Sequence, residues 1–75
     1  MEALRKVSPK QLSLYEECIG ILMEVFERGE YLIAVLALPV LIEGDSGLRL
    51  RIKESIGRLV GILRTERGYK VRVIE

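Results

Sequence analysis

GDSGLRLRIKESIGRLVGILRTERGYKVRVIE, residues 44–75, holds the choice on which the fold turns. Gly44-Asp45-Ser46-Gly47 reads as a four-residue turn, because glycine supplies positive φ while Asp and Ser side chains bond their own backbone. After it Leu48, Leu50 and Ile52 alternate with Arg49, Arg51 and Lys53. A period of two predicts a half-buried strand with a cationic outer face, paired as a hairpin with Val40 to Glu43. Three cations in a first helical turn would oppose the helix dipole, which also favours the strand. Ile56, Leu59, Val60 and Leu63 then recur at helical spacing, with Arg64 and Arg67 before Gly68, and predict a helix of about three turns. Tyr69, Val71 and Val73 alternate with Lys70 and Arg72 as a closing strand.

Upstream, Ser8, Pro9 and Gln11 fit a capping box, with Val7 and Leu12 placed as a hydrophobic staple. This start predicts a helix reaching about Arg28, where Gly29 supplies the left-handed stop. Leu12, Tyr15, Ile19, Leu22 and Phe26 make one apolar stripe, and Leu14, Cys18, Ile21 and Val25 a second beside it. Ser13, Glu17, Gly20, Glu24 and Glu27 form its acidic, solvated strip. The run YLIAVLALPVLI, Tyr31 to Ile42, is ambiguous by period: Ala34, Leu36, Ala37 and Leu38 favour helix, Val35, Val40 and Ile42 favour strand. Pro39 would end a helix near Leu38 or require an edge position in a sheet. Counting Met1 to Val7 as a weak first strand, the order is β-α-β-β-α-β. The reading is one α+β domain over residues 1–75, a small antiparallel sheet packed against two helices in ferredoxin-like or KH-like order. The alternative is a mostly helical winged-helix fold, with Tyr31 to Ile42 and Leu48 to Thr65 both helical.

A chain of 75 residues that is 49% hydrophobic and 31% charged cannot easily hide its apolar area internally. A homodimer, or a subunit of a larger heteromeric complex, is therefore expected. There is no His, Trp or Asn, and only Gln11, Thr65 and Cys18 of their kinds. Scarce amides beside abundant Glu, Arg and Lys look thermophile-like. One cysteine cannot form an internal disulfide, and without His the commonest metal ligand is missing. No cofactor and no metal are expected. Tyr31 to Ile42 is twelve residues between Glu30 and Glu43, short of the roughly twenty a membrane span needs. With a charged start in place of a signal peptide, the expectation is a cytoplasmic protein.

Charge is segregated along the chain. Residues 1–10 carry +2, residues 11–46 carry −6 and residues 47–75 carry +5, summing to the net +1. A cationic half suits nucleic-acid phosphates, provided its side chains gather on one surface. Arg49, Arg51, Lys53 and Arg58 are the expected phosphate contacts, with Lys70 and Arg72 secondary. Gly57 and Gly61 flank Arg58-Leu59-Val60 and suggest close helix packing; the spacing is one residue too long for a KH clamp. Cys18 lies on an apolar face with no His to activate it, and Glu16 and Glu17 point to different sides of the expected helix. Neither indicates an enzyme. The competing reading is a protein-binding adaptor or dimerisation module, using an apolar edge and the acidic helix, without nucleic acid.

LRLRIKESIGRLVGILRT, Leu48 to Thr65, resembles the C-terminal helix segment of the Pcc-type small subunit of the KEOPS complex, which installs threonylcarbamoyl-adenosine in tRNA. The matching features are Asp45-Ser46, Leu48-Arg49, Ser55, Arg58, Leu59 and Arg64-Thr65, over about a quarter of the chain. The resemblance implies an archaeal-like, non-catalytic dimerisation subunit of a tRNA-modification complex. It also implies tRNA contacts at Arg49, Ser55 and Arg58, and makes Leu48 to Lys53 helical where the alternation makes it a strand. The chain is short, between its first expected helix and Asp45, for the usual pair of strands.

Overall fold

The computed structural model describes residues 9–44 and 46–75. The expected first strand over Met1 to Val7, the Ser8 cap, the Val7 side of the staple and Asp45 of the turn lie outside them. Among the described residues seven strands and one helix follow in order: β1 (Lys10–Gln11), β2 (Glu17–Ile21), β3 (Glu24–Arg28), β4 (Tyr31–Val35), β5 (Pro39–Ile42), α1 (Ser46–Glu54), β6 (Leu59–Thr65) and β7 (Gly68–Val73). One sheet runs β1-β5-β4-β3 and the other β2-β6-β7. β1 pairs with β5 in parallel and every other neighbour is antiparallel. The described chain is thus mostly sheet, which overturns both the sheet packed against two helices and the winged helix.

The expected helix from Pro9 to Arg28 is replaced by strands, for a readable reason. β2 and β3 are nearly one strand that bends at Leu22-Met23 and passes from one sheet to the other. Cys18, Gly20 and Leu22 face inward at period two; after the bend the inward residue is Val25. Cys18, Leu22 and Val25 therefore stand at i, i+4 and i+7, which is also the signature of a helix face. Ile19, Ile21 and Val25 are β-branched, and Gly20 in a helix would cost about 1 kcal/mol relative to Ala, so the bent strand is the better fit.

Gly29-Glu30 joins β3 to β4 as a two-residue hairpin rather than closing a helix. Gly29 has φ +61° and Glu30 is not at positive φ, the pattern of a II′ turn whose twist suits the flanking strands. Tyr31 to Ile42 splits into β4 and β5 around a bend at residues 36–38. Pro39 stands at the first position of β5, opposite Val35, where its missing N–H is tolerated.

Leu48 to Lys53 is helix, not strand, and it forms no hairpin with β5. Leu48, Ile52 and Ser55 turn inward at i, i+4 and i+7, while Leu50, which the alternation placed with them, is 61% exposed. The objection from the helix dipole disappears, because Arg51 and Lys53 fall in the last turn of α1, where cations are favoured. The expected helix beyond it is a turn over residues 55–57 followed by β6. Val60 and Ile62 face the core at period two, and Gly61 lies in mid-strand rather than in a helix interface.

Both sheets and α1 feed one core, comprising Leu12, Leu22, Leu32, Ala34, Leu36, Val40, Ile42, Ile52, Val60, Ile62 and Val71. No helix among the described residues is long and apolar enough to cross a membrane.

Candidate nucleic-acid interface

The outer face of the β2-β6-β7 sheet can be written row by row from its register. Ile21 lies opposite Leu59, Ile19 opposite Gly61 and Arg72, and Glu17 opposite Leu63 and Lys70. Period two puts all of these on the side away from Val60, Ile62 and Val71. Glu17 and Arg72 sit on strands that are not neighbours, yet Arg72 Nε donates to Glu17 Oε2 at 3.1 Å, with Nη2 3.5 Å from Oε1. The pair crosses over β6 at Gly61. A Cβ there would come within 2.6 Å of Glu17 Oε2 and 3.4 Å of Arg72 Nε. The missing side chain is what lets the clasp close.

Beside this clasp α1 packs against β7, which brings Arg51 from the helix to the strand that carries Lys70 and Arg72. Arg51, Lys70, Arg72, Glu17, Leu63 and Val71 line an open depression of about 370 Å³. Three cations and one carboxylate give it a net +2. Arg72 is committed to Glu17, whereas the side chains of Arg51 and Lys70 have no hydrogen bond or ion pair among the described residues. Unneutralised cations around one concavity are what a phosphate-bearing ligand requires.

The other expected contacts go elsewhere. Arg49 Nη1 pairs with Glu27 Oε1 at 2.9 Å and Nη2 donates to the Glu30 carbonyl at 2.9 Å. Lys53 Nζ reaches the second oxygen of the same carboxylate at 3.1 Å. The hydrogen bond and charge of Lys53, with the charge of Arg49, hold the Glu27 carboxyl below the usual carboxylate range. Ser55 is buried and its hydroxyl donates to the Arg51 carbonyl at 2.9 Å, so it is a helix-end group rather than a ligand contact. Arg58 Nε donates to the Glu75 carbonyl at 3.2 Å. Of seven expected residues, three meet at the depression, two neutralise Glu27, one is buried and one serves the chain's last residues.

Glu17, Leu63 and Val71 belong to the site but escaped the sequence reading. A helical period places Glu17 on a solvated strip, whereas it stands on strand β2. The alternation of Glu17, Ile19 and Ile21 against Cys18, Gly20 and Leu22 is the signal that would have put it across a strand from the basic half.

The acidic helix invoked for a protein-binding adaptor does not exist, since its carboxylates are distributed over β2, β3 and the loops around them. Cys18 is half-buried, and burial together with the Glu16 charge pushes its thiol up, which keeps it protonated. Among the described residues no group of three or more His, Cys, Asp or Glu side chains gathers to hold a metal. No family model, curated protein or solved structure matches the chain. The Pcc-type resemblance makes Leu48 to Lys53 helical, as in α1, but Leu59 to Thr65 of the same segment is strand β6, and a nine-residue helix is too common an element to carry a family.

Proposed function

We propose that the chain is a non-catalytic nucleic-acid-binding subunit that holds an RNA backbone at the depression between α1 and β7. The observation that carries this is the convergence of Arg51, Lys70 and Arg72 on one concavity, two of them with side chains that have no intramolecular partner among the described residues. Arg51 and Lys70 are the direct phosphate contacts, and Arg72 contributes the guanidinium edge that Glu17 leaves free.

The strand order offers support by analogy of fold alone. A bent strand shared by two sheets, a hairpin to a second and third strand, a helix, and a closing hairpin follow the five-stranded Greek-key plan of OB barrels. Here β1 takes the pairing place beside β5. The loop of the closing hairpin, among the elements such barrels use for oligonucleotides, holds Glu66 and Arg67, and Lys70 and Arg72 follow it on β7.

The test is a salt titration of oligonucleotide binding with Arg51→Glu and Lys70→Glu, singly and together. Each neutralised single-strand phosphate contributes about 0.7 to the slope of log K against log salt, so the double variant should lose roughly 1.4 of that slope and bind weakly. Arg49→Gln, whose cation is already neutralised by Glu27, should leave the slope in place. Unchanged affinity and slope in the folded double variant would sink the assignment.

A further inference from the structure

Tyr15 stands where the backbone favours glycine. Glu16 N donates to the Ser13 carbonyl at 2.9 Å, closing a turn with Tyr15 in its third position at φ +65°. Tyr15 N then donates to the Arg64 carbonyl while Arg64 N donates to the Glu16 carbonyl, so two residues face one across the strands. A bulge of this kind ordinarily gives its left-handed position to glycine, and a bulky side chain there is strained. Glycine would make the same turn without strain, so the reason for the residue lies in its ring.

That ring is held in place and left open. Its hydroxyl donates to the Glu66 carboxylate, across β6 in the loop of the closing hairpin. The turn beneath it is fixed by Ser13 N on Glu16 Oε1 at 2.8 Å, Lys10 Nζ on Glu16 Oε2 at 3.1 Å and Arg64 Nη1 on the Leu12 carbonyl at 2.7 Å. Tyr15 is nevertheless 59% exposed, whereas Tyr69 on β7 packs against the core. A ring already fixed loses little freedom when a flat group stacks on it.

We infer that Tyr15 stacks one unpaired base of the strand held at the depression, so that the ligand is single-stranded; this rests on the phosphate reading above. Glu17, two residues on from Tyr15, lines that depression with Leu63 and Lys70. Same-face rows lie about 6.8 Å apart, roughly two base rises of 3.4 Å, so a base on Tyr15 and a phosphate at Lys70 belong to nearby nucleotides. The phenol rests on a carboxylate, yet the surroundings stay cationic. Lys10 offsets Glu16 and Arg72 offsets Glu17, which leaves Arg64, Arg67 and Lys70 against Glu66. A base inside a duplex is already stacked on both sides, so only an unstacked one can use the ring.

The experiment is an anisotropy titration of a short mixed-sequence RNA, single-stranded and as its duplex, with Tyr15→Gly and Tyr15→Phe. Glycine suits the positive φ, so Tyr15→Gly should keep the wild-type circular dichroism. Its affinity for the single strand should fall about 5- to 150-fold, the worth of one stacked base. The salt slope should not change, because no phosphate contact is lost. Duplex binding should stay as it was, and Tyr15→Phe, which keeps the ring, should retain most of the affinity. A second readout uses Tyr31→Phe/Tyr69→Phe, in which Tyr15 is the remaining tyrosine. Single-stranded RNA should quench its fluorescence and a polyphosphate chain should not. Unchanged single-strand affinity in folded Tyr15→Gly, an equal loss on the duplex, or no quenching by the single strand would each overturn the inference. The phosphate reading fails differently: Arg51→Glu/Lys70→Glu would then keep its salt slope while single-stranded RNA still quenched Tyr15.

Discussion

At Gly61 a single hydrogen in place of a side chain decides how the basic half is charged. The Glu17–Arg72 pair is an exposed one, worth no more than about 1 kcal/mol. Glycine in a strand interior costs about 0.5–1 kcal/mol relative to alanine. Gly61→Ala therefore sets two small terms of opposite sign against each other, and its melting temperature should move by only a few degrees. Its binding should change more clearly. The new methyl would lie 2.6 Å from Glu17 Oε2, which forces the clasp open and frees the Arg72 guanidinium. Affinity for an oligonucleotide should rise, with the salt slope steeper by about one phosphate contact. A melt and a salt titration on the same sample check both halves; a large loss of stability, or an unchanged slope, would show that the clasp is not what Gly61 protects.

α1 is tied to β3 through one carboxylate, and that tie has a definite pH dependence. Glu27 takes Arg49 on one oxygen and Lys53 on the other, and its folded-state pKa lies below the unfolded value. A lowered carboxyl contributes stability that is present above the unfolded value and lost as pH falls through the folded one. Glu16 acts in the same direction, lowered first by the Ser13 amide and then by Lys10. Stability should therefore decline on acidification below the ordinary carboxylate range. Glu27→Gln should be less stable at neutral pH and show a shallower acid limb, measured by denaturant melts across that range. Equal limbs would mean that α1 is held by Ile52 and Leu48 alone. The same element shows what the sequence could and could not disclose. Leu48-Arg49-Leu50-Arg51-Ile52-Lys53 fits period two perfectly, and only the burial of Ile52 beside the exposure of Leu50 reveals the helix. Cys18, Leu22 and Val25 make the converse disguise, a bent strand spaced like a helix. The closing strand was legible from its alternation, and so was the left-handed backbone at Gly29, though it turns a hairpin rather than ending a helix. At the site, Lys70 and Arg72 were visible as alternating cations on β7. The neutralisation of Arg49 and Lys53 was not, because Glu27 is 22 and 26 residues away along the chain.

For the whole molecule, the segregation of charge in sequence becomes a pairing in space: β2, from the acidic half, hydrogen-bonds to β6, from the basic half, along five register positions. The two sheets cannot then be independent units, because one bent strand belongs to both and a single core lies between them. Leu22 sits at the bend, fully buried, where a loss is felt by both sheets. Leu22→Ala should cost about 3 kcal/mol in lost transfer energy and cavity. For a domain of this size each kcal/mol lowers the melting temperature by about 4–8 °C, so the fall should be about 12–24 °C. Cooperativity should survive, since a common core is weakened rather than divided. With no Trp in the chain, tyrosine fluorescence can report each sheet: variants retaining only Tyr31 follow the β4 sheet, and variants retaining only Tyr69 follow the β7 sheet. In the Leu22→Ala background both signals and the far-ultraviolet circular dichroism should fall in one transition at one temperature. If the Tyr69 signal melts before the Tyr31 signal, the β2-β6-β7 sheet is a separable unit, and the cationic depression it carries with α1 would be lost while the rest of the chain stays folded.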